Sequence, residues 1–377
     1  RPVPLYEGIF FNGEIIFKGK NPVKIDIKVK GREDIALALD AIRKGKQSVI
    51  FVNSRKSAES TAKKASEYVE NYLSKEEKKM LEKISNEILS AIESPTKQCK
   101  LLSELVKKGV AFHHAGLVNA QRKLIEDSYR NNIIKLIVAT TTIGAGVNLP
   151  NFRSICKDLI RYENFEAFAI PVREYKQWAG RSGRLGYDKE GEAVIIANYP
   201  DEFRKLWNKY IEGEIEEIES KLSVEPILRS QVLSLIATEI NEKKELLEFF
   251  KDTFFFYQYK SLSSLKEKIE KIIDFFEKCK FIVVKGNEIH ATKLGKRIAQ
   301  LYIDPLTASN FVDFLMEFEK FEEKEIAILQ AICYTLEMLP YPGLEGKKKE
   351  GYFQNMETLE KLQVFIHANM KKNFYKH

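Results

Sequence analysis

Over the first 200 residues, short runs of β-branched and aromatic residues alternate with longer amphipathic segments. Runs typical of buried strands occupy 47–53, 110–113, 135–140 and 192–197, because a strand covered on both faces reads as continuous apolar sequence. Strands separated by helical segments pair in parallel, and the helices cover both faces of the sheet. The pattern therefore predicts a parallel α/β domain over residues 1–200, with a charged, solvated helical insertion at about 57–108.

A polar or glycine-bearing segment follows each of the first three predicted strands at once. These segments are Asn53-Ser-Arg-Lys56, His114-Ala-Gly-Leu117 and Thr141-Thr-Ile-Gly-Ala-Gly146. Ligands of open α/β sheets bind beyond the carboxyl ends of the strands, where such loops gather. The three loops are therefore expected to converge on one ligand.

Two arginines lie three residues apart in the motif QxxGRxGR, which runs from Gln177 to Arg184. On a glycine-bearing segment, Arg181 and Arg184 can place two permanently charged guanidinium groups on one anion, as a phosphoryl-transfer site does. Such a site also needs a phosphate-binding GxxxxGK[ST] loop, and none occurs in the 377 residues. Either the chain is a fragment or its partner domain lies elsewhere. Taken alone, the motif is also compatible with a basic surface loop.

Composition narrows the class of protein. No apolar run approaches the roughly 18 to 20 residues of a membrane span, and the amino end lacks the pattern of a signal peptide, so we expect an intracellular protein without membrane contact. The cysteines (Cys99, Cys156, Cys279 and Cys333) are widely spaced, which predicts reduced thiols and no metal site. A net charge of +7 favours a polyanionic partner.

The sequence after residue 200 changes character. Residues 201–224 are acidic and predict a linker helix, whereas 225–304 predict three helices followed by a two-stranded hairpin, the order found in winged helices. The helices are expected at about 226–240, 243–252 and 262–278, and the strands at 281–284 and 289–292. The aromatic run 253–259 is expected in the core of this part. Residues 305–377 predict a further helical region.

Three segments resemble one family closely: AFHHAGL, TTTIGAGVNLP and EYKQWAGRSGRLGYD. They are similar to the archaeal Hjm-type (HELQ-related) DNA repair helicases of superfamily two, and the resemblance covers nearly the whole chain. It implies a RecA-like second motor domain, a winged helix and the beginning of a helical ratchet domain. It also implies part of an ATP-dependent 3′ to 5′ DNA helicase that unwinds forked or branched DNA in replication-coupled repair.

The same resemblance implies cofactors and partners. ATP and Mg²⁺ would be bound mainly by a first RecA-like domain that this chain lacks, so the isolated chain is expected to be inactive. The partners would be single-stranded and forked DNA, that missing domain, and replication or recombination proteins. A cytoplasmic, nucleoid-associated location follows from these partners.

Roles for single residues are implied as well. Arg181 and Arg184 would act as arginine fingers on the γ-phosphate, and Gln177 would position the phosphates or the attacking water. The arginine pair is expected on the same face of the domain as the strand-binding loops. Residues implied near the nucleotide are Gly146 and Asn148, with Asp188 supporting the arginine loop. Residues implied to hold the nucleic acid strand are Asn53, Ser54, Arg55, His114, Gly116, Thr140 and Thr141. The neighbouring His113 is expected to be a packed core histidine.

Residues 156–170 predict a β-hairpin with aromatic side chains near its tip. In the resembled family this hairpin separates the strands, and Tyr162, Phe165 or Phe168 would stack on the last base pair. Packing of these rings on the motor domain is an equally good interpretation. Two other functions also fit the sequence: an RNA helicase of the superkiller or Brr type, and a noncatalytic winged-helix module that binds nucleic acid.

Overall fold

A computed structural model describes residues 3–140, 149–163, 166–238, 240–321 and 323–338. The chain divides into two compact units, Arg1–Glu216 and Glu217 onward. The predicted α/β class with a mostly parallel sheet is confirmed for the first unit. In the described part of the chain, no helix combines the length and apolar content needed to cross a bilayer.

Most strands of the first unit join one sheet. The strands are β1 (Leu5–Phe11), β2 (Glu14–Phe17), β3 (Val23–Lys24), β4 (Ser48–Val52), β5 (Val110–His113), β6 (Leu136–Thr140), β7 (Arg153–Cys156), β8 (Ile160–Glu163), β9 (Glu166–Ala169) and β10 (Gly191–Ile196). Across the sheet the order is β3-β2-β1-β10-β7-β4-β6-β5. The strands from β1 to β5 in this order are parallel, and β2 and β3 extend the sheet by antiparallel pairing. β8 and β9 form a separate antiparallel hairpin.

Helices pack around this sheet, with their apolar residues in its core. They are α1 (Glu33–Arg43), α2 (Arg55–Val69), α3 (Lys75–Ser90), α4 (Lys97–Lys107), α5 (Asn119–Arg130), α6 (Val172–Ala179) and α7 (Pro200–Leu206). The prediction of a solvated insertion at 57–108 is wrong, because α2, α3 and α4 each bury a stripe of side chains such as Ala62, Leu81 and Leu102. The many charges of this segment occupy only the opposite faces of these helices.

Sequence patterns missed two parts of the sheet. β1 lies in the middle of the sheet between β2 and β10, although its sequence LYEGIFF includes a charged residue and a glycine. β7 begins with Arg153, which is completely buried. A charged residue in a short run argues against a buried strand when only the sequence is known, because its ion-pair partner is distant in sequence.

The first unit continues beyond residue 200, where the sequence placed its end. After α7, a π-helical turn (Trp207–Ile211) buries Tyr210 and Ile211 in the main core. The Tyr210 hydroxyl donates a hydrogen bond to the carbonyl of Ile170 at 2.7 Å. The acidic segment predicted as a linker therefore begins with residues that complete the first unit.

The second unit contains the predicted helices and hairpin at nearly the predicted positions. Its elements are α8 (Glu225–Thr238), α9 (Lys243–Lys251), α10 (Phe254–Tyr259), α11 (Leu262–Lys278), β11 (Ile282–Lys285), β12 (Glu288–Ala291), α12 (Lys293–Leu301), α13 (Pro305–Glu317) and α14 (Lys324–Cys333). Arg229 of α8 forms a buried ion pair with Asp304 at 2.8 Å.

The aromatic run of α10 is only partly core. Phe255 is buried, whereas Phe254, Tyr257 and Tyr259 are exposed. The sequence prediction that the whole run is core is therefore wrong for its outer face. A helix of six residues that packs on one side can bury only that side of its aromatic run.

Candidate functional site

Helix α6 leads into the arginine motif and is fixed at both ends. The backbone N–H groups of Val172 and Arg173 donate to the Glu216 carboxylate at 2.6 and 2.9 Å, which satisfies two N–H groups of the first turn of the helix. Trp178 is buried and its ring stacks on Phe51 of β4, with 4.9 Å between ring centroids. Gln177, on the outer face of the same helix, is exposed.

The loop after α6, residues 180–190, is held against the amino ends of β7 and β10. The N–H of Gly183 donates to the carbonyl of Asn151 at 2.7 Å, and the N–H of Asn151 donates to the carbonyl of Arg181 at 3.0 Å. Gly183 has a φ of +93°, and a Cβ there would lie 2.7 Å from Val3. A Cβ on Gly191 would lie 2.4 Å from the Gly183 nitrogen. The glycines are therefore required by close packing of this loop, which we call the arginine loop.

Arg184 is buried, and its guanidinium is held on several sides. Its Nε and Nη2 donate to the Asp188 carboxylate at 2.8 and 3.3 Å, and its Nη1 donates to Gln47 Oε1 at 2.5 Å. Lys46 adds an ion pair to Asp188 at 2.7 Å. Burial alone raises the pKa of Asp188, but the hydrogen bonds from Arg184 and Lys46 outweigh it and lower that pKa below its usual range. Asp188 is thus an ionised carboxylate whose contacts are to the arginine loop and Lys46.

Arg181 lies in a different environment, since it is partly exposed and precedes the buried Ser182. The hydroxyl of Ser182 accepts a hydrogen bond from the N–H of Ser154 at 3.2 Å. This contact fixes the backbone beside Arg181 to β7. The two arginines of the motif therefore differ, with one guanidinium in a buried network and the other nearer the surface.

The arginine loop and the loops predicted to bind the nucleic acid strand lie at opposite ends of the parallel β-strands. Gln47 and Asn151 precede their strands, so the arginine loop lies at the amino ends. Asn53 and His114 follow theirs and lie at the carboxyl ends. The expectation that one face carries both is therefore wrong. A sequence shows which loop follows which strand, but α6 carries the chain back across the sheet before the arginines appear.

At the carboxyl end of β4, the predicted strand-binding residues Asn53, Ser54 and Arg55 are all exposed. The N–H of Asn53 donates to Asp158 at 3.2 Å. Ser54 is the N-cap of α2, because its hydroxyl oxygen accepts from the N–H of Ser57 at 3.1 Å. The hydroxyl hydrogen of Ser54 remains a donor for a ligand.

The loop after β5 is organised by a buried histidine. His114 has no exposed surface, and its Nδ1 accepts a hydrogen bond from the N–H of Gly116 at 3.1 Å. Gly116 is exposed, and a Cβ on it would lie 3.4 Å from Arg55 Nη1. The structure thus brings Gly116 and Arg55 together, and places the His114 side chain behind the loop surface rather than on it.

Both histidines of this segment are packed. His113 Nε2 lies 3.0 Å from Glu126, and His114 Nε2 lies 3.4 Å from Glu59. Burial lowers the pKa of each ring, although the two glutamates act in the opposite direction. The core interpretation of His113 agrees with its burial.

Thr140 ends β6 and is buried. Thr141, Gly146 and Asn148 lie outside the described residues. Three of the residues implied for nucleotide or strand contact therefore have no structural description.

The predicted hairpin is β8–β9, in which Ile160 pairs with Ala169 and Glu163 pairs with Glu166. Phe168 is exposed. Phe165 and the side chain of Tyr162 lie outside the described residues. Arg161 of β8 forms an ion pair with Glu174 of α6 at 2.5 Å, so the hairpin is tied to the helix that precedes the arginine loop.

Residues that the motif reading missed complete this site: Lys46, Gln47 and Asn151. A glutamine directly before the mostly apolar strand β4 was the available signal, because a buried amide must have hydrogen-bond partners. Nothing in the sequence indicates that one partner is an arginine 137 residues away. Within the described ranges, no group of three or more histidine, cysteine, aspartate or glutamate side chains is placed to hold a metal ion.

The first unit combines a mostly parallel sheet with an arginine-bearing loop between α6 and β10. Residues 33–186 match the family described as the helicase conserved C-terminal domain. This segment is therefore similar to that family.

The relatives are more specific. The chain is 40% identical over 340 residues to "ATP-dependent DNA helicase Hel308" of Methanocella arvoryzae, covering 89% of this chain and 45% of the relative. It is 39% identical over 352 residues to the protein of that name from Pyrococcus horikoshii, covering 93% and 47%. For Pyrococcus abyssi the identity is 36% over 389 residues, covering 97% and 53%. These matches confirm the resemblance to archaeal superfamily-two DNA helicases, and the chain spans about half the length of these relatives.

Proposed function

We propose that this chain is the second motor domain and the following region of an ATP-dependent DNA helicase that moves 3′ to 5′ on forked or branched DNA. The observation that carries the proposal is the arrangement of the first unit, in which a rigid sheet joins an arginine loop to a set of exposed strand-end loops. The names of the relatives support the activity and the kind of nucleic acid.

The arginine loop has the chemistry of a phosphate-binding element. Arg181 and Arg184 supply permanently charged donors, and the loop backbone is fixed to β7 before any ligand arrives. Preorganised charge stabilises a transferring phosphoryl group at little reorganisation cost. When bound, ATP with Mg²⁺ supplies the free energy of phosphoanhydride hydrolysis. Gln177 would orient the phosphates or a water, and Gly146 and Asn148 would lie near the ribose.

The strand-end loops have the chemistry of a backbone-binding surface. Asn53, Ser54, Arg55 and Gly116 are exposed at the carboxyl ends of β4 and β5, and they offer amide, hydroxyl, guanidinium and backbone donors. Contacts of this type hold phosphates and do not read base sequence. Thr140 and Thr141 would extend the same surface. We infer that it holds the strand along which the protein moves.

Two rigid elements connect the two edges of the sheet. At the amino end of β4, Gln47 contacts Arg184, and at its carboxyl end the strand leads into Asn53. In the first turn of α6, Glu174 contacts Arg161 of the hairpin, and the carboxyl end of the helix leads into the arginine loop. Because strands and helices transmit displacement as rigid bodies, movement of the arginine loop on nucleotide binding would reach the strand-binding surface and the hairpin. Phe168 is exposed and available for stacking, which is worth roughly 1 to 3 kcal/mol per base.

The second unit would act as a winged helix over 225–304, and 305 onward would begin a helical ratchet domain. The observed order of helices and hairpin supports the first assignment. In this arrangement the first motor domain would supply the GxxxxGK[ST] loop, which does not occur in these 377 residues.

Steady-state ATPase measurements test the role of the arginine loop. In the full-length protein, Arg181→Ala and Arg184→Ala are expected to lower the kcat of DNA-stimulated ATP hydrolysis by about 10³-fold or more, the usual effect of losing an arginine finger. Arg173→Ala is the matched control, because Arg173 is an exposed arginine on α6, the helix that leads into the arginine loop. Its kcat should equal that of the unaltered protein. Unchanged ATPase in both arginine-loop variants would show that the loop does not act on the nucleotide.

Strand separation on matched forks tests the substrate. The full-length protein is expected to unwind a DNA fork that has a 3′ single-stranded arm faster than the RNA fork of the same sequence. Equal or faster unwinding of RNA would contradict the DNA assignment and favour an RNA helicase. Unwinding that requires a 5′ arm would contradict the proposed polarity.

A further inference from the structure

The residue just before β4, Gln47, has no exposed surface. Its side-chain nitrogen Nε2 donates to the carbonyls of Tyr129 and Ile134 at 2.8 and 2.6 Å. A carbonyl oxygen only accepts hydrogen bonds, so these two contacts require the nitrogen of the amide at this position. The opposite orientation would bring three oxygens together. The amide oxygen Oε1 therefore points in one fixed direction.

That direction is toward Arg184. Oε1 accepts from Arg184 Nη1 at 2.5 Å, while Asp188 accepts from Nε and Nη2. A guanidinium has five N–H groups, and these contacts engage three of them. One N–H on each terminal nitrogen has no part in these three bonds. Gln47 and Asp188 thus hold the guanidinium plane from two directions and leave donors on both terminal nitrogens.

Asp188 and Gln47, the two side chains that hold Arg184, differ in charge. Asp188 is a carboxylate and neutralises charge, whereas Gln47 accepts a hydrogen bond without adding charge. A second carboxylate at this place would compete with a phosphate for the same guanidinium. A neutral acceptor fixes the orientation of Arg184 and leaves its affinity for an anion largely intact.

We propose that Gln47 is a positioning residue for phosphoryl transfer: it fixes the guanidinium of Arg184 for contact with the transferring phosphoryl group. This inference rests on the proposed function of the arginine loop. Gln47 touches neither nucleotide nor nucleic acid in this account, and it acts only through Arg184. Because Gln47 directly precedes β4, it also connects the orientation of Arg184 to the strand that leads to Asn53.

The main test is a double-mutant cycle on the ATPase activity of the full-length protein. Gln47→Met keeps the length and volume of the side chain and removes its hydrogen bonds. We expect its kcat to fall about 10- to 100-fold, the effect of misplacing a catalytic group by about 1 Å, with the KM for ATP changed less than threefold. Gln47→Glu should lower kcat at least as much. In the Arg184→Ala background, Gln47→Met should have no further effect.

Ser48→Ala is the matched control. Ser48 is buried next to Gln47 and is the first residue of β4, and its hydroxyl has no hydrogen-bond partner among the described residues. Its kcat should be unchanged. A further loss of kcat on adding Gln47→Met to Arg184→Ala would mean a general structural role and would overturn the proposal. An equal loss in Ser48→Ala would do the same.

A second measurement does not depend on catalysis. In the 377-residue chain, the Nε–H of Arg184, assigned with Arg184→Lys, should exchange slowly with solvent, and Gln47→Met should make it exchange at least tenfold faster. Unchanged exchange would overturn the positioning role whatever the ATPase shows. Faster exchange with unchanged kcat, while Arg184→Ala is inactive, would overturn its catalytic relevance. If Arg184→Ala retains full kcat, the proposed function of the loop itself fails, and the inference fails with it.

Discussion

Replacing Arg153 by methionine tests the buried ion cluster that joins α1, β7 and β10. Arg153 has no exposed surface. Its Nε donates to Glu192 at 2.7 Å, and its Nη1 donates to Asp40 at 3.0 Å and to the Leu37 carbonyl at 2.7 Å. Methionine fills similar space but leaves two buried carboxylates without their shared partner.

The expected cost follows from these contacts. Breaking a buried ion pair by removing one partner typically costs about 3 to 5 kcal/mol. Asp40 retains Lys44 at 2.7 Å, and Glu192 retains Lys20 at 3.5 Å. The remaining partners favour the lower end of the range, so we expect the free energy of unfolding of the first unit to fall by about 3 kcal/mol.

The assay can isolate the first unit, because both tryptophans of the chain, Trp178 and Trp207, lie in it. Urea unfolding followed by tryptophan fluorescence at pH 7.5 therefore reports this unit alone. The double variant Arg153→Met with Glu192→Gln should recover at least about 1 kcal/mol, since it removes one of the buried charges.

The pH dependence gives an independent check. Burial raises the pKa of Asp40, but hydrogen bonds and charges from Lys44 and Arg153 outweigh it and lower that pKa. A lowered folded pKa contributes stability above the unfolded value of about 3.9. Without Arg153 that contribution shrinks, so the cost of Arg153→Met should be smaller near pH 4 than at pH 7.5. A cost below about 1 kcal/mol at pH 7.5, with no recovery in the double variant, would refute this reasoning.

Three further changes have defined outcomes. Burial lowers the pKa of His113 and His114, so the folded state binds fewer protons than the unfolded state below about pH 6.5, and the fluorescence-detected Tm should fall from pH 7.5 to 5.5. His113→Asn should reduce this dependence of Tm on pH. An unchanged dependence in that variant would show that His113 does not contribute to it. Trp178→Ala removes the ring stacked on Phe51 and should destabilise the first unit by about 3 to 5 kcal/mol, measured by the fluorescence of the remaining Trp207 during urea unfolding. A loss below about 1 kcal/mol would show that the stacked ring contributes little to stability. A Cβ on Gly295 would lie 2.0 Å from the Phe281 carbonyl oxygen. Gly295→Ala should therefore destabilise the second unit by about 1 to 3 kcal/mol, measured by circular dichroism melting, and leave the unfolding transition seen by tryptophan fluorescence unchanged. A shift of the fluorescence transition would argue against a local clash.

Periodicity and composition located the strands that contain an unbroken apolar run. β4, β5, β6 and β10 were placed within one residue, because their polar residues lie only at the ends of that run. The hairpin β8–β9 was also placed correctly. β1 and β7 were missed because Glu7 and Gly8 interrupt the apolar run of β1, and Arg153 and Ser154 make up half of β7. The ion-pair partners of these charged residues are distant in sequence, since Glu7 pairs with Lys176 and Arg153 with Glu192.

The sequence by itself determined the class of domain, the positions of β4, β5, β6 and β10, and the identity of the motif residues. These depend on local patterns, and the QxxGRxGR motif can be identified from the sequence alone. Only the tertiary structure decided that the arginine loop and the strand-end loops lie at opposite edges of the sheet, and that Gln47 and Asp188 hold Arg184 between them. A hydrogen bond across 137 residues depends on the path of the backbone through α6 and β7, and that path is fixed by packing of the whole unit rather than by any local pattern.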